Sequence, residues 1–282
     1  MKFKDQVAII TGGVGGIGKP IVRAFLAEGA GVAIADVSQK ELDQVVKDLK
    51  GEGDLVGIAA DVSKYDDIHN LAEQTLKYFG SIDILVNSAG IQGPIGPLRE
   101  ADIEEWIHCI HVNLIGTVVC CRAILPIMVS KKRGKVINFA GGGANYSRPN
   151  FSAYAISKTG IVRLTEILAD ELKSFNIQVN AVSPGVIKTK MIDEILEAGR
   201  EKAGYEYDQL RAKFLKGFDS PDLVAELVCF LASHDSDWIT GKTISAVWDP
   251  WKEWQEKGQT ELDKDLYVLR RIDYRNFIKK KK

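Results

Sequence analysis

Short apolar runs rich in β-branched residues alternate with longer segments of helical periodicity, and this alternation constrains the fold more than any other feature. The apolar runs lie at residues 7–10, 32–35, 55–60, 82–86, 136–139, 177–182 and 243–247. The helical segments include residues 19–28, 41–50, 66–79, 103–128 and 153–173. Continuously apolar strands separated by helices are typical of a parallel sheet covered on both faces. The sequence therefore predicts an α/β fold, a doubly wound seven-stranded parallel sheet in a single domain.

We predict that this domain spans residues 1–252, because no linker or internal repeat divides it. Within it, residues 188–217 are helical and highly charged and contain glycines at 199, 204 and 217, which predicts a mobile lid over the substrate. Residues 253–282 lie outside the core pattern. We predict that they form a C-terminal extension, which is a peripheral arm or helix. The four lysines that end it are typical of a solvated terminus.

Composition excludes several classes of function. A formal net charge of −1 lacks the basic excess of nucleic-acid and membrane-surface proteins. No signal-peptide stretch precedes the first strand, and we expect no apolar run long enough to span a bilayer. We therefore expect a cytoplasmic protein without nucleic-acid or membrane partners. The four cysteines form no CxxC pair and predict reduced thiols rather than disulfides or a zinc site: Cys109, Cys120, Cys121 and Cys229.

Residues 12–18 form a glycine-rich loop between the first predicted strand and the first helix. Glycines permit a sharp turn and a close approach of the backbone to a pyrophosphate, and the helix N-terminus offers free N–H groups to it. A glycine triplet alone is a weak signal. The strand–loop–helix context favours dinucleotide binding over a merely flexible loop.

Asp36 ends the second predicted strand. A carboxylate there can accept hydrogen bonds from both hydroxyls of the adenosine ribose, and it would repel the extra phosphate of NADP. The glycine loop contains no lysine or arginine to offset that repulsion. The alternative role for Asp36 is to cap the helix that starts near Ser38. The position favours NAD as the cofactor.

Tyr154 and Lys158 are four residues apart on a predicted helix and therefore share a face. A tyrosine that exchanges a proton near neutral pH must have its pKa lowered by about three units, which requires about 4 kcal/mol. One ammonium about 4 Å away supplies about that much at an effective dielectric of about 20. A tyrosine–lysine pair beside a cofactor is thus a sufficient acid/base, although the same spacing also arises by chance on surface helices.

Six motifs in this order resemble the short-chain dehydrogenase/reductase family over about residues 5–250. They are Thr11, Gly12, Gly16 and Gly18 in the glycine loop, Asp61-Val62, Asn87-Ser88-Ala89-Gly90, Asn113, Tyr154 with Lys158, and Pro184-Gly185 with Thr189. Ser88 departs mildly from the family's usual asparagine. The resemblance implies a Rossmann fold and a hydride transfer between a nicotinamide and a secondary alcohol or ketone. It also implies a homodimer or homotetramer, because relatives pair through the helices corresponding to residues 103–128 and 153–173.

The resemblance implies a role for individual residues. Tyr154 would be the acid/base, Lys158 would also hold the nicotinamide ribose, and Asn113 would anchor a water in the proton relay. Thr189 would bind the nicotinamide carboxamide, and Asn87 would lie near the ribose. The implied NAD-binding set is Gly12, Gly16, Ile17, Gly18, Asp36, Asp61, Val62, Asn87, Ala89, Gly90, Tyr154, Lys158, Pro184, Gly185 and Thr189.

The sequence departs from the family at Gly141, where relatives carry a serine that orients the substrate oxygen. The backbone N–H groups of the glycines at 141–143 could replace that hydroxyl, since no Cβ blocks them. The side chains of Asn145 or Ser147 are a second option, and a third is that the glycines only make room for a bulky substrate. Without the serine, an NAD-binding regulatory or structural subunit with impaired catalysis is the competing hypothesis. The intact Tyr154, Lys158 and Asn113 argue against it.

Two further features were weighed for other functions. His108 and His111 are three residues apart on a helix, but no carboxylate-rich pattern accompanies them, so we expect no metal. No basic groove, as a nucleobase-stacking surface would need, accompanies the three tryptophans Trp248, Trp251 and Trp254. We therefore predict that they form an apolar tail packed on the body or on a neighbouring subunit. At the end of the final predicted strand, residues 246–251 stand in place of the Asp-Gly-Gly ending that is usual in the family. With Gly141, it resembles a subset of the family linked to bacterial sugar and surface-polysaccharide metabolism.

Overall fold

The computed structural model describes residues 1–257 and 261–272. It contains one sheet of seven parallel strands in the order β3-β2-β1-β4-β5-β6-β7. The strands are β1 (Val7–Thr11), β2 (Gly31–Asp36), β3 (Leu55–Ala59), β4 (Ile84–Asn87), β5 (Gly134–Phe139), β6 (Ile177–Ser183) and β7 (Thr243–Ser245). The strand order reverses between β1 and β4, and ligands of such sheets bind at the carboxyl ends of the strands beside that point. The predicted fold class is confirmed.

Ten α-helices are present in the described residues. They are α1 (Gly18–Ala27), α2 (Gln39–Asp48), α3 (Tyr65–Phe79), α4 (Ile103–Ile110), α5 (Gly116–Lys131), α6 (Ser152–Leu172), α7 (Lys190–Ala203), α8 (Tyr205–Lys216), α9 (Pro221–Ala232) and α10 (Trp251–Glu256). Helices α1, α2 and α9 cover one face of the sheet, and α3, α5 and α6 cover the other. Successive strand residues therefore point to opposite cores: Ile9 packs in one, Ala8 and Ile10 in the other.

The predicted helix over residues 103–128 is interrupted by a π-helical turn. This turn, His111–Ile115, joins α4 to α5 in a stretch that runs from Ile103 to Lys131. By length and apolar composition alone the stretch could cross a membrane, so the expectation that no apolar run is long enough is wrong. Its buried side chains, such as Ile124 and Met128, pack against the sheet, as in the core helix of a doubly wound fold.

Two strands differ in extent from the prediction, for local reasons. Strand β4 begins at Ile84 rather than at residue 82, and the buried carboxylate of Asp83 before it accepts a hydrogen bond of 3.0 Å from the Val7 N–H. Strand β7 ends at Ser245 rather than at residue 247. The Ser245 N–H there donates to the Asp249 carboxylate at 2.6 Å and starts a turn.

The core continues past residue 252, where we expected the domain to end. Trp251 and Trp254 of α10 are buried in the core beside α9, and Tyr267 packs on Trp254 with ring centroids 5.4 Å apart. Residues 261–272 lie along β7, where the Lys242 ammonium donates hydrogen bonds to three of their carbonyls. The lysines at 279–282 lie outside the described residues.

Only two of the three tryptophans pack on the body as predicted. Trp248 is 79% exposed, whereas Trp254 is 5% exposed. We expect Trp254→Ala to lower the free energy of unfolding by about 3–5 kcal/mol, because it leaves a large cavity in the core. Urea unfolding followed by circular dichroism measures this. The matched control, Trp248→Ala, should change stability by less than about 0.5 kcal/mol, and equal losses in both variants would contradict the packing described.

Candidate functional site

Two cavities lie side by side at the carboxyl ends of the strands, and Tyr154 borders both. The first, of about 510 Å³, we call the cofactor cavity. It brings together most of the predicted NAD-binding residues: Gly12, Gly16, Ile17, Gly18, Asp36, Asp61, Val62, Ala89, Gly90, Tyr154, Lys158, Pro184 and Thr189. The second, of about 710 Å³, we call the substrate cavity, and the three predicted substrate residues line it: Gly141, Asn145 and Ser147.

The glycine loop is packed so tightly that side chains are excluded. Gly12 has φ +69°, a conformation that L side chains rarely adopt. A Cβ on Gly18 would lie 2.2 Å from the carbonyl oxygen of Gly12. The loop thereby brings its backbone and the start of α1 to the cavity wall without intervening side chains. This arrangement fits the diphosphate of a dinucleotide, which such helix N-termini bind.

Asp36 reaches the cofactor cavity from the end of β2. It is not needed as a helix cap, because the Ser38 hydroxyl accepts the Glu41 N–H at 3.4 Å and caps α2. Burial raises the pKa of Asp36, and a hydrogen bond of 2.9 Å from the Val37 N–H opposes that shift. Asp36 thus lines the cofactor cavity at the end of β2 and is free to bind a ligand there.

Two predicted cofactor residues lie elsewhere. The Asn87 side chain points into the sheet, where its amide donates a hydrogen bond of 2.9 Å to Asn138, and it does not line the cofactor cavity. Gly185 lines the substrate cavity instead. A Cβ there would lie 2.6 Å from Val247. Neither residue lines the cofactor cavity, and their contacts with a cofactor stay predictions.

Asn113 is fully buried in the π-helical turn. Its side-chain oxygen accepts the Ile91 N–H at 2.8 Å, and its amide donates to the Ile91 carbonyl at 3.0 Å and to the Ser157 hydroxyl at 3.1 Å. The Asn113 carbonyl accepts the Thr117 hydroxyl at 2.8 Å. These bonds fix the loop after β4 against α6. Asn113 is therefore a positioning residue, and its role in a water relay stays a prediction.

Gly141 lies directly against the catalytic candidate. A Cβ at residue 141 would be 2.5 Å from the Tyr154 hydroxyl oxygen, so a side chain there requires the end of the Tyr154 side chain to shift. The glycine therefore does more than leave space for a bulky substrate, because it allows Tyr154 to occupy its position. A serine could not be restored here unless Tyr154 moved.

The charges around Tyr154 differ from those expected. Burial raises the pKa of Tyr154, and the strongest opposing influence is the Arg148 guanidinium, 5.0 Å from the ring centroid. Burial also lowers the pKa of Lys158 to about 8. The Lys158 ammonium lies 5.6 Å from the Tyr154 ring centroid and donates to the Phe139 carbonyl at 3.0 Å. Burial therefore outweighs the nearby positive charge in setting the pKa of Tyr154.

Arg148 was not among the predicted residues, although it lines the substrate cavity. Its guanidinium stacks over Phe151, 4.1 Å from the centroid, and forms a bidentate ion pair with Glu206 of α8. An arginine in an irregular loop carries no periodicity that would reveal its direction, so the sequence offered no signal for it. The ion pair ties the loop after β5 to the predicted lid.

The predicted lid consists of two helices, α7 and α8, separated by Gly204 at φ +63°. Both line the substrate cavity. Movement of the lid stays a prediction. Hydrogen exchange across residues 188–217 that is slow without ligand, and unchanged by NAD and substrate, would contradict it.

His108 lines the cofactor cavity. No group of three potential metal-ligating side chains occurs in residues 1–257 and 261–272. Cys109, Cys120 and Cys121 are buried and Cys229 is partly buried, and all four are free thiols.

The buried Lys158 predicts a pH-dependent stability. Between pH 8 and its ordinary pKa of 10.5, the unfolded chain binds a proton that the folded protein has released, so Lys158 makes stability rise with pH there. At pH 7 its buried charge costs roughly 3 kcal/mol. Lys158→Met removes that cost. The free energy of unfolding in urea of Lys158→Met, minus that of the wild type, should therefore fall by roughly 2 kcal/mol from pH 7 to pH 10.

The Lys158→Met variant also loses the hydrogen bond to the Phe139 carbonyl. That loss is the same at both pH values, so it cancels when the stability differences at pH 7 and pH 10 are compared. A stability difference that does not change with pH would contradict the charged, buried state of Lys158.

Known proteins share this architecture. The family model "short chain dehydrogenase" matches residues 6–199. The chain is 36% identical over 245 residues to 3-oxoacyl-(acyl-carrier-protein) reductase FabG of Thermotoga maritima, covering 86% of this chain and 97% of that protein. It is 37% identical over 245 residues to dehydrogenase/reductase SDR family member 4 of Caenorhabditis elegans, covering 86% and 94% of the two chains.

A solved structure agrees with the sequence comparisons. The crystal structure of levodione reductase superimposes with a TM-score of 0.79 at 29% identity, covering 86% of this chain and 96% of that one. The chain belongs to the short-chain dehydrogenase/reductase family of oxidoreductases.

Proposed function

We propose that this oxidoreductase uses NAD to oxidise a secondary alcohol or to reduce the corresponding ketone. The observation that carries the proposal is the position of Tyr154 on the boundary between the two cavities. A substrate oxygen that reaches Tyr154 from one side has its carbon facing the cofactor cavity on the other. The buried Lys158 next to Tyr154 supplies the positive charge that such a site requires.

Separate groups of the site would bind the cofactor, exchange the proton and stabilise the charge. A bound nicotinamide supplies the hydride acceptor or donor. Tyr154 accepts the hydroxyl proton as an alcohol becomes a ketone, and it returns a proton in the reverse direction. The Arg148 guanidinium beside the ring favours the phenolate form of Tyr154 and opposes the effect of burial on its pKa. The walls of the cavities keep water from the reacting carbon.

The lining of the substrate cavity favours a substrate with several hydroxyl groups, such as a sugar derivative. Amides and hydroxyls that can hydrogen-bond to such groups line it: Gln92, Asn145, Ser147, Asn150 and Gln209. Three exposed aromatic side chains that can pack against a ring also line it: Tyr146, Tyr205 and Trp248. Exposed aromatic clusters of this kind mark ligand-binding surfaces.

The competing hypothesis, a catalytically impaired NAD-binding subunit, has no support in the site, because Tyr154 borders both cavities and Lys158 and Asn113 are buried there. A panel of secondary alcohols, including sugar alcohols and glycosides, tests the two with NAD⁺ by the absorbance of NADH. We expect turnover of at least one of them. NAD binding without turnover of any alcohol, or of any ketone with NADH, would favour the impaired subunit.

Cofactor choice is the second test. We expect NAD(H) to bind at least about tenfold tighter than NADP(H), because the Asp36 carboxylate would repel the added phosphate. Calorimetric titration of both cofactors measures the ratio. Asp36→Ala should narrow it, whereas Asp61→Ala, a change at the adenine end that the two cofactors share, should weaken both alike. Equal affinities in the wild-type protein would contradict the assignment of NAD.

We also propose a homodimer or homotetramer in a reducing compartment such as the cytoplasm, where free thiols persist. Apolar side chains remain exposed on α4, α5 and α6: Ile107, Val118, Ile156 and Ile167. A second copy of the same helices would cover them. Light scattering at micromolar concentration should give a dimer or larger, and Ile167→Glu should dissociate it. The control is Leu215→Glu on α8, where Leu215 is also exposed. A wild-type monomer would contradict the proposal.

A further inference from the structure

The substrate cavity contains a buried amide without a partner. Gln92 lies in the loop after β4, lines the substrate cavity and is 3% exposed. Its side-chain nitrogen is buried and has no hydrogen-bond partner among the residues that the structure describes. An unsatisfied buried donor is destabilising, and such groups in native proteins usually have a functional reason.

The same cavity lacks the donor that the family places at residue 141. The close approach of Gly141 to the Tyr154 hydroxyl leaves no space for a side chain there unless the end of the Tyr154 side chain shifts. Asn145 and Ser147, the side chains predicted to substitute for the serine, are both exposed. Exposed side chains lose their hydrogen bonds to water when they bind a ligand, whereas a buried, unpartnered amide has none to lose. Gln92 is therefore the better-prepared donor.

The loop that carries Gln92 is fixed in place. The residue before it, Ile91, is bonded through both its N–H and its carbonyl to the buried side chain of Asn113. A Cβ on the residue after it, Gly93, would lie 2.7 Å from the Cβ of Cys109. With both neighbours held, the amide of Gln92 can turn about its Cγ–Cδ bond while its backbone stays in position. Such preorganisation is what a donor to a developing negative charge requires.

We infer that Gln92 replaces the missing serine: its amide N–H binds the substrate oxygen and holds it against Tyr154. The inference rests on the proposed oxidoreductase function and adds the residue that orients the substrate. Tyr154 still takes or gives the proton. Gln92 exchanges none, and it stabilises the oxygen as negative charge develops on it.

Two substitutions separate this role from a structural one. Gln92→Leu removes the amide, and Gln92→Glu keeps its size but replaces the donor N–H groups by a carboxylate. We expect both to lower kcat/KM by about a hundredfold to a thousandfold, mainly through kcat, with NAD affinity unchanged. Gln92→Leu should also raise Tm, because it removes an unsatisfied buried donor.

The matched control is Gln178→Leu on β6. Gln178 is also buried, but its amide donates a hydrogen bond of 3.2 Å to Asn176. That variant should lose stability and keep the wild-type kcat/KM. Opposite changes in Tm for the two leucine variants would show that the Gln92 amide serves a ligand rather than the fold.

The proposed function and the inference fail in different ways. If the wild-type protein turns over a substrate and either Gln92 variant keeps more than a tenth of its kcat/KM, the inference is wrong and the function stands. If the wild type turns over nothing, the proposed function fails and Tm alone decides the role of Gln92. A Tm below wild type for Gln92→Leu then overturns the inference, and a Tm at or above wild type supports a ligand-binding amide.

Discussion

The site depends on one buried contact, the hydrogen bond of 3.0 Å from the Lys158 ammonium to the carbonyl of Phe139 at the end of β5. It holds α6 over the carboxyl end of a central strand. Because Tyr154 lies one helical turn before Lys158, the same contact places the Tyr154 hydroxyl against Gly141. Burying a lysine in this way destabilises the fold, and the cavities at this edge of the sheet explain why the group is retained there.

The arrangement around Tyr154 shows how a departure from a family pattern can be compensated. Because residue 141 is a glycine, the Tyr154 hydroxyl can lie against the backbone there. Arg148 then adds a positive charge beside the ring, and Glu206 holds that arginine from the lid. The charge that favours the phenolate therefore comes from the loop after β5, whereas the Glu206 carboxylate of α8 fixes that arginine and itself raises the pKa of Tyr154. One ion pair thus connects α8 to the surroundings of Tyr154.

The strands and the motif positions could be predicted from sequence because they obey strong local rules. Short apolar runs such as residues 32–35 are typical of a buried strand, and the glycine loop between a strand and a helix is typical of dinucleotide binding. The direction of a side chain in irregular structure follows no such rule. The hydrogen bond between Asn87 and Asn138 therefore could not be foreseen, and Gln92 and Arg148 were missed. The π-helical turn at Asn113 was also missed, because it leaves the apolar periodicity of the helix nearly unchanged.

The most direct test of the account is the effect of Tyr154→Phe on turnover, with NAD affinity measured on the same samples. The account holds that the Tyr154 hydroxyl exchanges the substrate proton, and phenylalanine keeps the ring that lines the cofactor cavity. We expect kcat/KM for the best alcohol substrate to fall by about a thousandfold or more, while the dissociation constant for NAD changes by less than about threefold. A variant that keeps a tenth or more of wild-type kcat/KM would show that another group moves the proton and would contradict the account.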